Sequence, residues 1–102
     1  MRDLTEENLT QAALQKLSET TDPRLKEIMS SFIQHLHTFL REVEPTQDEW
    51  FEAIQFLTEI GQKCSNKRQE FILMSDVLGA SMLIDAINNR KIAGFTESSV
   101  LG

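Results

Sequence analysis

Positions 67–89 read KRQEFILMSDVLGASMLIDAINN, and no half-exposed strand can carry that pattern. Phe71, Ile72, Leu73 and Met74 stand in a row, and Val77, Leu78, Ala80, Met82, Leu83, Ile84, Ala86 and Ile87 follow without alternation. A strand with one wet face places apolar residues at every second position. Wound as helix, these residues cover most of the circumference, which predicts a segment buried on several sides. Gly79 interrupts the run, and a glycine in a helix interior is less favourable than alanine by about 1 kcal/mol. Ser75 and Asp76 stand just before it as N-cap types. The spacing therefore predicts two helical pieces, 67–74 and 76–89, with a bend or close packing near Gly79.

The rest of the chain is also poor in helix breakers. Two prolines and four glycines among 102 residues favour long helices. Asp3 or Thr5 can cap a first helix over 5–19, with Glu6 and Glu7 favourable in its first turn. Leu9, Ala12, Ala13 and Leu17 form a narrow stripe of mostly small side chains there. Such a helix must lie against something large, either its own core or another subunit. Asp22-Pro23 is a strong helix start, with Asp as N-cap and Pro at the first helical position. Behind it Leu25, Ile28, Met29, Phe32, Ile33, Leu36, Phe39, Leu40 and Val43 mark an amphipathic helix over 23–43, about 30 Å long. Glu44-Pro45 ends it, because a residue before proline avoids the right-handed helical region.

Thr46 and Glu49 have the spacing of a capping box for a third helix over 47–64. Trp50, Ala53, Ile54, Leu57, Ile60 and Cys64 line one face, and Phe51 and Phe56 fall to either side. The apolar arc is about twice the ~100° of an ordinary surface helix, so this helix is sandwiched in a core or shared with a partner. Ser65-Asn66 supplies the turn into the 67–89 segment. The fold class expected is all-α, a small irregular bundle of about five helices.

Charge and cysteine content narrow the function classes. The formal net charge of −6 argues against nucleic acid or an anionic membrane surface as partner. No run reaches the ~18 apolar residues of a membrane span. The polar, acidic start MRDLTEEN has no signal-peptide character, so a cytoplasmic location is expected. Cys64 is the single cysteine, which excludes an internal disulfide and reads as a small buried hydrophobe.

Candidate catalytic groups are few. His35 and His37 are the only histidines, and two positions apart on a helix they diverge, so they cannot chelate one metal. They read as boundary residues beside the apolar stripe. Asp76 reads as a cap and Asp85 as a surface or interface contact; an acid/base pair would require the bend at Gly79 to bring them together. Met29, Met74 and Met82 read as core fillers, with an adaptable lipid groove as the alternative. Lys67-Arg68 and Arg90-Lys91 read as solvated helix ends, the second pair favourable near a helix C-terminus. No phosphate loop, nucleophile elbow or metal motif is present.

RQEFILMSDVLGASMLIDAINN followed by TESSVLG, with DEWFEAIQFLTEIGQKC upstream, resembles the N-terminal helical domain of the intradiol ring-cleaving dioxygenases. The hydroxyquinol 1,2-dioxygenases are nearest and the catechol 1,2-dioxygenases behind them. The likeness is strong over 46–102 and a matter of pattern over 5–44. It implies a parent oxidoreductase that inserts both atoms of dioxygen during breakdown of aromatic compounds, using iron(III) held by two tyrosines and two histidines of a β-rich catalytic domain. This chain contains no tyrosine, so no ligand is carried over: catalytic and metal residues are expected to be none, and the chain alone is expected to be inactive. The resemblance implies a helical dimerisation and linker domain over 1–93, with 94–102 starting the linker into the catalytic domain, where the sequence looks cut. It also implies a homodimer contact and a hydrophobic tunnel for a phospholipid or fatty acyl chain. Leu9, Ala13, Leu17, Phe51 and Phe56 are the residues expected near that contact or tunnel. The alternative, from a different class, is a stand-alone helical interaction or lipid-binding module without enzymatic activity.

Overall fold

The structure, a computed structural model, describes residues 4–93. Five α-helices and one 3-10 turn account for most of them: α1 Leu9–Gln15, the 3-10 turn Lys16–Glu19, α2 Pro23–Val43, α3 Gln47–Gln62, α4 Glu70–Val77 and α5 Ala80–Ala93. No strand occurs among the described residues, as the absence of alternation predicts. The chain divides into two compact units, one ending at Gln47 and one beginning at Asp48.

The first unit is a helical hairpin. The Thr5 hydroxyl accepts from the Asn8 amide at 3.3 Å while the Asn8 side chain accepts from the Thr5 amide at 2.9 Å. This reciprocal pair satisfies two of the amides that a helix start leaves unpaired. The cap expected at Thr5 thus serves the turn ahead of α1, whose own N-cap position is Asn8 and makes no side-chain cap bond, while Asp3 lies outside the described residues. The helix expected over 5–19 is shorter and split, because its last turn tightens into 3-10 geometry, a common way to satisfy terminal carbonyls. Asp22 caps α2 as expected, accepting from the amides of Arg24 at 3.0 Å and Leu25 at 3.2 Å, with Pro23 at the first position. The helix ends where Pro45 requires. Glu44 turns to left-handed geometry at φ 53° and its amide bonds the Leu40 carbonyl at 2.8 Å.

The second unit takes up α3 from its second residue, Asp48, and leads into a tight turn where Ser65 and Arg68 exchange backbone hydrogen bonds at 2.8 and 3.2 Å. That exchange delays the next helix past the expected start at Lys67. Gln69 caps it instead, its side-chain oxygen accepting from the Phe71 amide at 3.1 Å and from the Cys64 thiol at 3.3 Å. Phe71 lies over α3 at Gly61, where an added Cβ would meet its ring at 3.8 Å.

The break in the apolar segment also differs from expectation. Ser75 and Asp76 are interior to α4 rather than caps of a following helix. The chain turns at Leu78-Gly79, with Gly79 at φ +80°. Asp76 contributes its backbone carbonyl, which accepts from the Gly79 amide at 3.1 Å. Glycine reaches positive φ without the steric penalty other residues meet, so it ends α4, and α5 starts directly after it.

Candidate interaction surfaces

The largest departure from the sequence expectation is burial. None of the described hydrophobic residues is buried; the one buried residue is Glu70, 9% exposed. Segment 67–89, expected to be covered on several sides, leaves Val77 78% and Met82 74% exposed. The physical reason is the area to be covered. α4 and α5 pack on each other. A helix that is apolar around most of its circumference has more apolar surface than one neighbour can hide. Of the three methionines expected in a core, Met29 and Met74 are half-buried and Met82 is not. Cys64 is also half-buried rather than buried, and its thiol reaches the Ile60 carbonyl at 3.4 Å.

Two features surround the buried side chain of Glu70. The Arg68 guanidinium pairs with its carboxylate. Glu70 is also the first residue of α4, where the helix dipole favours an anion.

In the first unit α1 packs along α2. The half-buried residues of α2 include Met29, Ile33 and His37, one helical turn apart in sequence. Leu25, Ile28, Phe32, Leu36, Phe39 and Val43, at steps of three and four, are all exposed. At 100° per residue the two sets lie about a quarter-turn apart. The α1 hairpin therefore covers one flank of α2 and leaves its main apolar stripe open to solvent.

The five residues expected near a contact or tunnel divide by exposure. Ala13 and Leu17 are half-buried, sharing a helical face with Thr10, whose hydroxyl meets His37 on α2. Their apolar surface is already partly used inside the hairpin. Leu9 is exposed. In the second unit Phe51 and Phe56 are exposed, Phe51 at 60%. The Phe51 ring sits against Trp50 with centroids 5.0 Å apart and planes tilted by 53°, within the range of favourable aromatic pairs.

The histidines diverge as expected. His35 Nδ1 lies 2.8 Å from the Ser31 carbonyl, whereas His37 Nδ1 lies 2.7 Å from the Thr10 hydroxyl. Asp76 and Asp85 sit on different helices, α4 and α5. Among the described residues no three His, Cys, Asp or Glu side chains converge as a metal site, and no helix is long and apolar enough to cross a membrane.

Two features escaped the sequence reading. The Gln69 cap lacked the usual Ser, Thr, Asp or Asn signal. The contact of Thr10 with His37 and Arg41 is legible only once the hairpin is closed, although His37 and Arg41 already have the one-turn spacing of paired side chains.

The chain is similar to known proteins in sequence and in fold. Residues 22–96 match the family described as catechol dioxygenase N terminus. A hydroxyquinol 1,2-dioxygenase of Rhizobium sp. (strain MTP-10005) is 53% identical over 97 residues, 95% of this chain and 33% of that protein. A 6-chlorohydroxyquinol 1,2-dioxygenase of Cupriavidus pinatubonensis is 50% identical over 102 residues, all of this chain and 37% of that protein. The solved hydroxyquinol 1,2-dioxygenase from Pseudomonas putida DLL-E4 superposes with a TM-score of 0.80 at 55% identity, over 83% of this chain and 30% of its own. The chain thus spans about a third of the length of these relatives.

Proposed function

The chain belongs to the catechol dioxygenase N-terminal family, and from that premise we propose that it is the N-terminal helical domain of an iron(III)-dependent intradiol dioxygenase. The substrate class is hydroxyquinol or catechol, and the reaction is ring cleavage with incorporation of both atoms of dioxygen. The observation that carries this reading is identity of half or more, over nearly the whole chain, to relatives named for hydroxyquinol cleavage.

The residues of this chain do not fit the iron of that reaction. Tyrosine is absent from the sequence, and the two histidines address different partners. No step of the ring opening is assigned to a residue of this chain. Its role is structural. The exposed apolar residues of each unit support a homodimer contact, with Leu9, Ala13, Leu17, Phe51 and Phe56 at or near it, because exposed apolar area in excess of the ordinary marks an interface. They equally support a hydrophobic tunnel for a phospholipid or acyl chain. The intracellular aromatic-degradation role implies a cytoplasmic location.

The test compares this chain with the same chain extended by a relative's remaining catalytic portion. Each is incubated with iron and assayed for oxygen uptake and formation of a muconate-type product or maleylacetate. The short form should be colourless and inactive, and the long form should gain iron, colour and turnover. An iron-free, inactive long form would leave the helical interaction or lipid-binding module as the function. Turnover by the short form would overturn the structural role.

A further inference from the structure

The open stripe of α2 has the spacing of a coiled-coil seam. Leu25, Met29, Phe32, Leu36, Phe39 and Val43 alternate steps of four and three, so Leu25, Phe32 and Phe39 repeat every seven residues, as do Met29, Leu36 and Val43. All but the half-buried Met29 are exposed. Charges close the stripe at both ends. Arg24 and Lys26 stand at its start and Glu42 and Glu44 at its finish, all four exposed. At 100° per residue Arg24 and Glu42 lie on one flank of the stripe and Lys26 on the other. Each pair stands at the end of α2 where the helix dipole disfavours its charge.

We propose that the α2 stripe is covered by the α2 stripe of a second copy of this chain, running antiparallel about a two-fold axis at Gln34. This rests on the homodimer reading above and adds its element and its orientation. Charge decides the orientation. A two-fold axis perpendicular to the helices sets each flank against the same flank of the other copy. Arg24 then meets the partner's Glu42 on one flank, and Lys26 meets the partner's Glu44 on the other, each twice by symmetry. A parallel pair sets both basic residues against their own copies and both acids against theirs, which is repulsive at each end.

Packing agrees with charge. In the antiparallel pair each layer takes one residue from each seven-residue series: Phe32 with Leu36, Met29 with Phe39, and Leu25 with Val43. Every phenylalanine ring then faces an aliphatic or thioether side chain, and large and small residues interdigitate. A parallel pair places Phe32 on Phe32 and Phe39 on Phe39. The remaining charges near the ends do not oppose the pairing. The Asp22 carboxylate is engaged by the Arg24 and Leu25 amides. Glu27 and Arg41 fall on the side of α2 away from the stripe. Arg41 is held there by the Glu6 carbonyl and the Thr10 hydroxyl, and the Arg24–Glu27 pair, 70% exposed at both residues, is too solvated to fix Arg24.

Sedimentation equilibrium of charge-reversed full chains tests the orientation. Arg24→Glu with Lys26→Glu should weaken self-association about tenfold, and so should Glu42→Lys with Glu44→Lys. All four together should restore it. Neither reversal opposes the dipole of α2, so helical content should hold. In a parallel pair each end faces itself, and reversing one end changes nothing. Cross-linking gives the register. Leu25→Cys and Val43→Cys chains, each on a Cys64→Ser background, should oxidise as a mixture to the mixed disulfide. Two copies of position 25 would stand about 27 Å apart, too far to bridge.

Homodisulfides of both chains, or single-end reversals without effect, would overturn the antiparallel pair. So would a monomeric chain whose organic extract contains acyl lipid, which would give the stripe to lipid instead. A dimer that yields no mixed disulfide would place the contact elsewhere and overturn this pairing, while the dioxygenase reading stands or falls separately on the iron and oxygen-uptake assay.

Discussion

The hydroxyl of Ser75 lies 2.7 Å from the hydroxyl of Ser81, a half-buried bond that ties α4 to α5 across the left-handed turn at Gly79. Ser75 is interior to α4, one residue before Asp76, and Ser81 is the second residue of α5. The bond depends on the sharp reversal between them. A continuous helix would place residues six apart on different faces. The polar pair therefore reports whether the chain breaks at Gly79 or runs on.

Gly79→Ala should destabilise the second unit by about 1 kcal/mol, the typical penalty for a left-handed non-glycine residue. An added Cβ meets nothing within 4 Å, so the loss is backbone strain without a clash. Urea unfolding followed by circular dichroism measures it. A stability equal to the parent's would mean that the turn does not hold its positive φ in solution.

Ser75→Ala and Ser81→Ala should each be destabilising, and the double variant should cost less than their sum. A coupling of about 1 kcal/mol is expected for one half-buried hydrogen bond, measured by a double-mutant cycle. Additive effects would show that the two hydroxyls do not meet.

The two ends of α2 should respond with opposite signs. Asp22→Ala removes the side chain that accepts from the Arg24 and Leu25 amides, a loss of about 1 kcal/mol. Glu44→Gly relieves a residue held at φ 53°, with a gain of up to about 1 kcal/mol. Thermal unfolding monitored by helical ellipticity should move down for the first and up for the second. The same direction for both would remove the assignment of Glu44 as a strained cap.

Exposure divides the residues proposed for the interface into open ones and ones used inside the hairpin. Phe51 is 60% exposed, so Phe51→Glu should weaken self-association in sedimentation velocity while leaving helical content unchanged. Ala13 is half-buried on the face of α1 that carries Thr10, so Ala13→Glu should lower helical content as well as association. A chain that sediments as a monomer at high concentration, with no lipid bound, would count against both the dimer and the tunnel.

Much of the local architecture was legible in the sequence because its causes act over a few residues. Asp22-Pro23 fixes the start of α2 through two hydrogen bonds within three positions, and Pro45 fixes its end through a clash with its neighbour. The stripe from Leu25 to Val43 and the absence of alternation gave the all-helical class, and the divergence of His35 and His37 followed from their spacing. The quoted motifs of the 67–89 segment carried the family resemblance.

Tertiary structure decided what those local signals leave open. Ser75-Asp76 and Gly79 offer two competing ways to break the apolar run. The break falls at Gly79 because its positive φ lets α5 fold back on α4, which a cap at Asp76 within one helical line would not permit. Thr10 and His37 are 27 residues apart, and only closure of the hairpin makes them partners. Burial is likewise a property of neighbours rather than of sequence. Apolar periodicity identified the faces of α2, α4 and α5 that need covering, but the hairpin conceals only one flank of α2, and α4 and α5 conceal only the sides they turn to each other. A hydrophobic residue is removed from water by the surface laid against it, and that surface is set by packing across the fold.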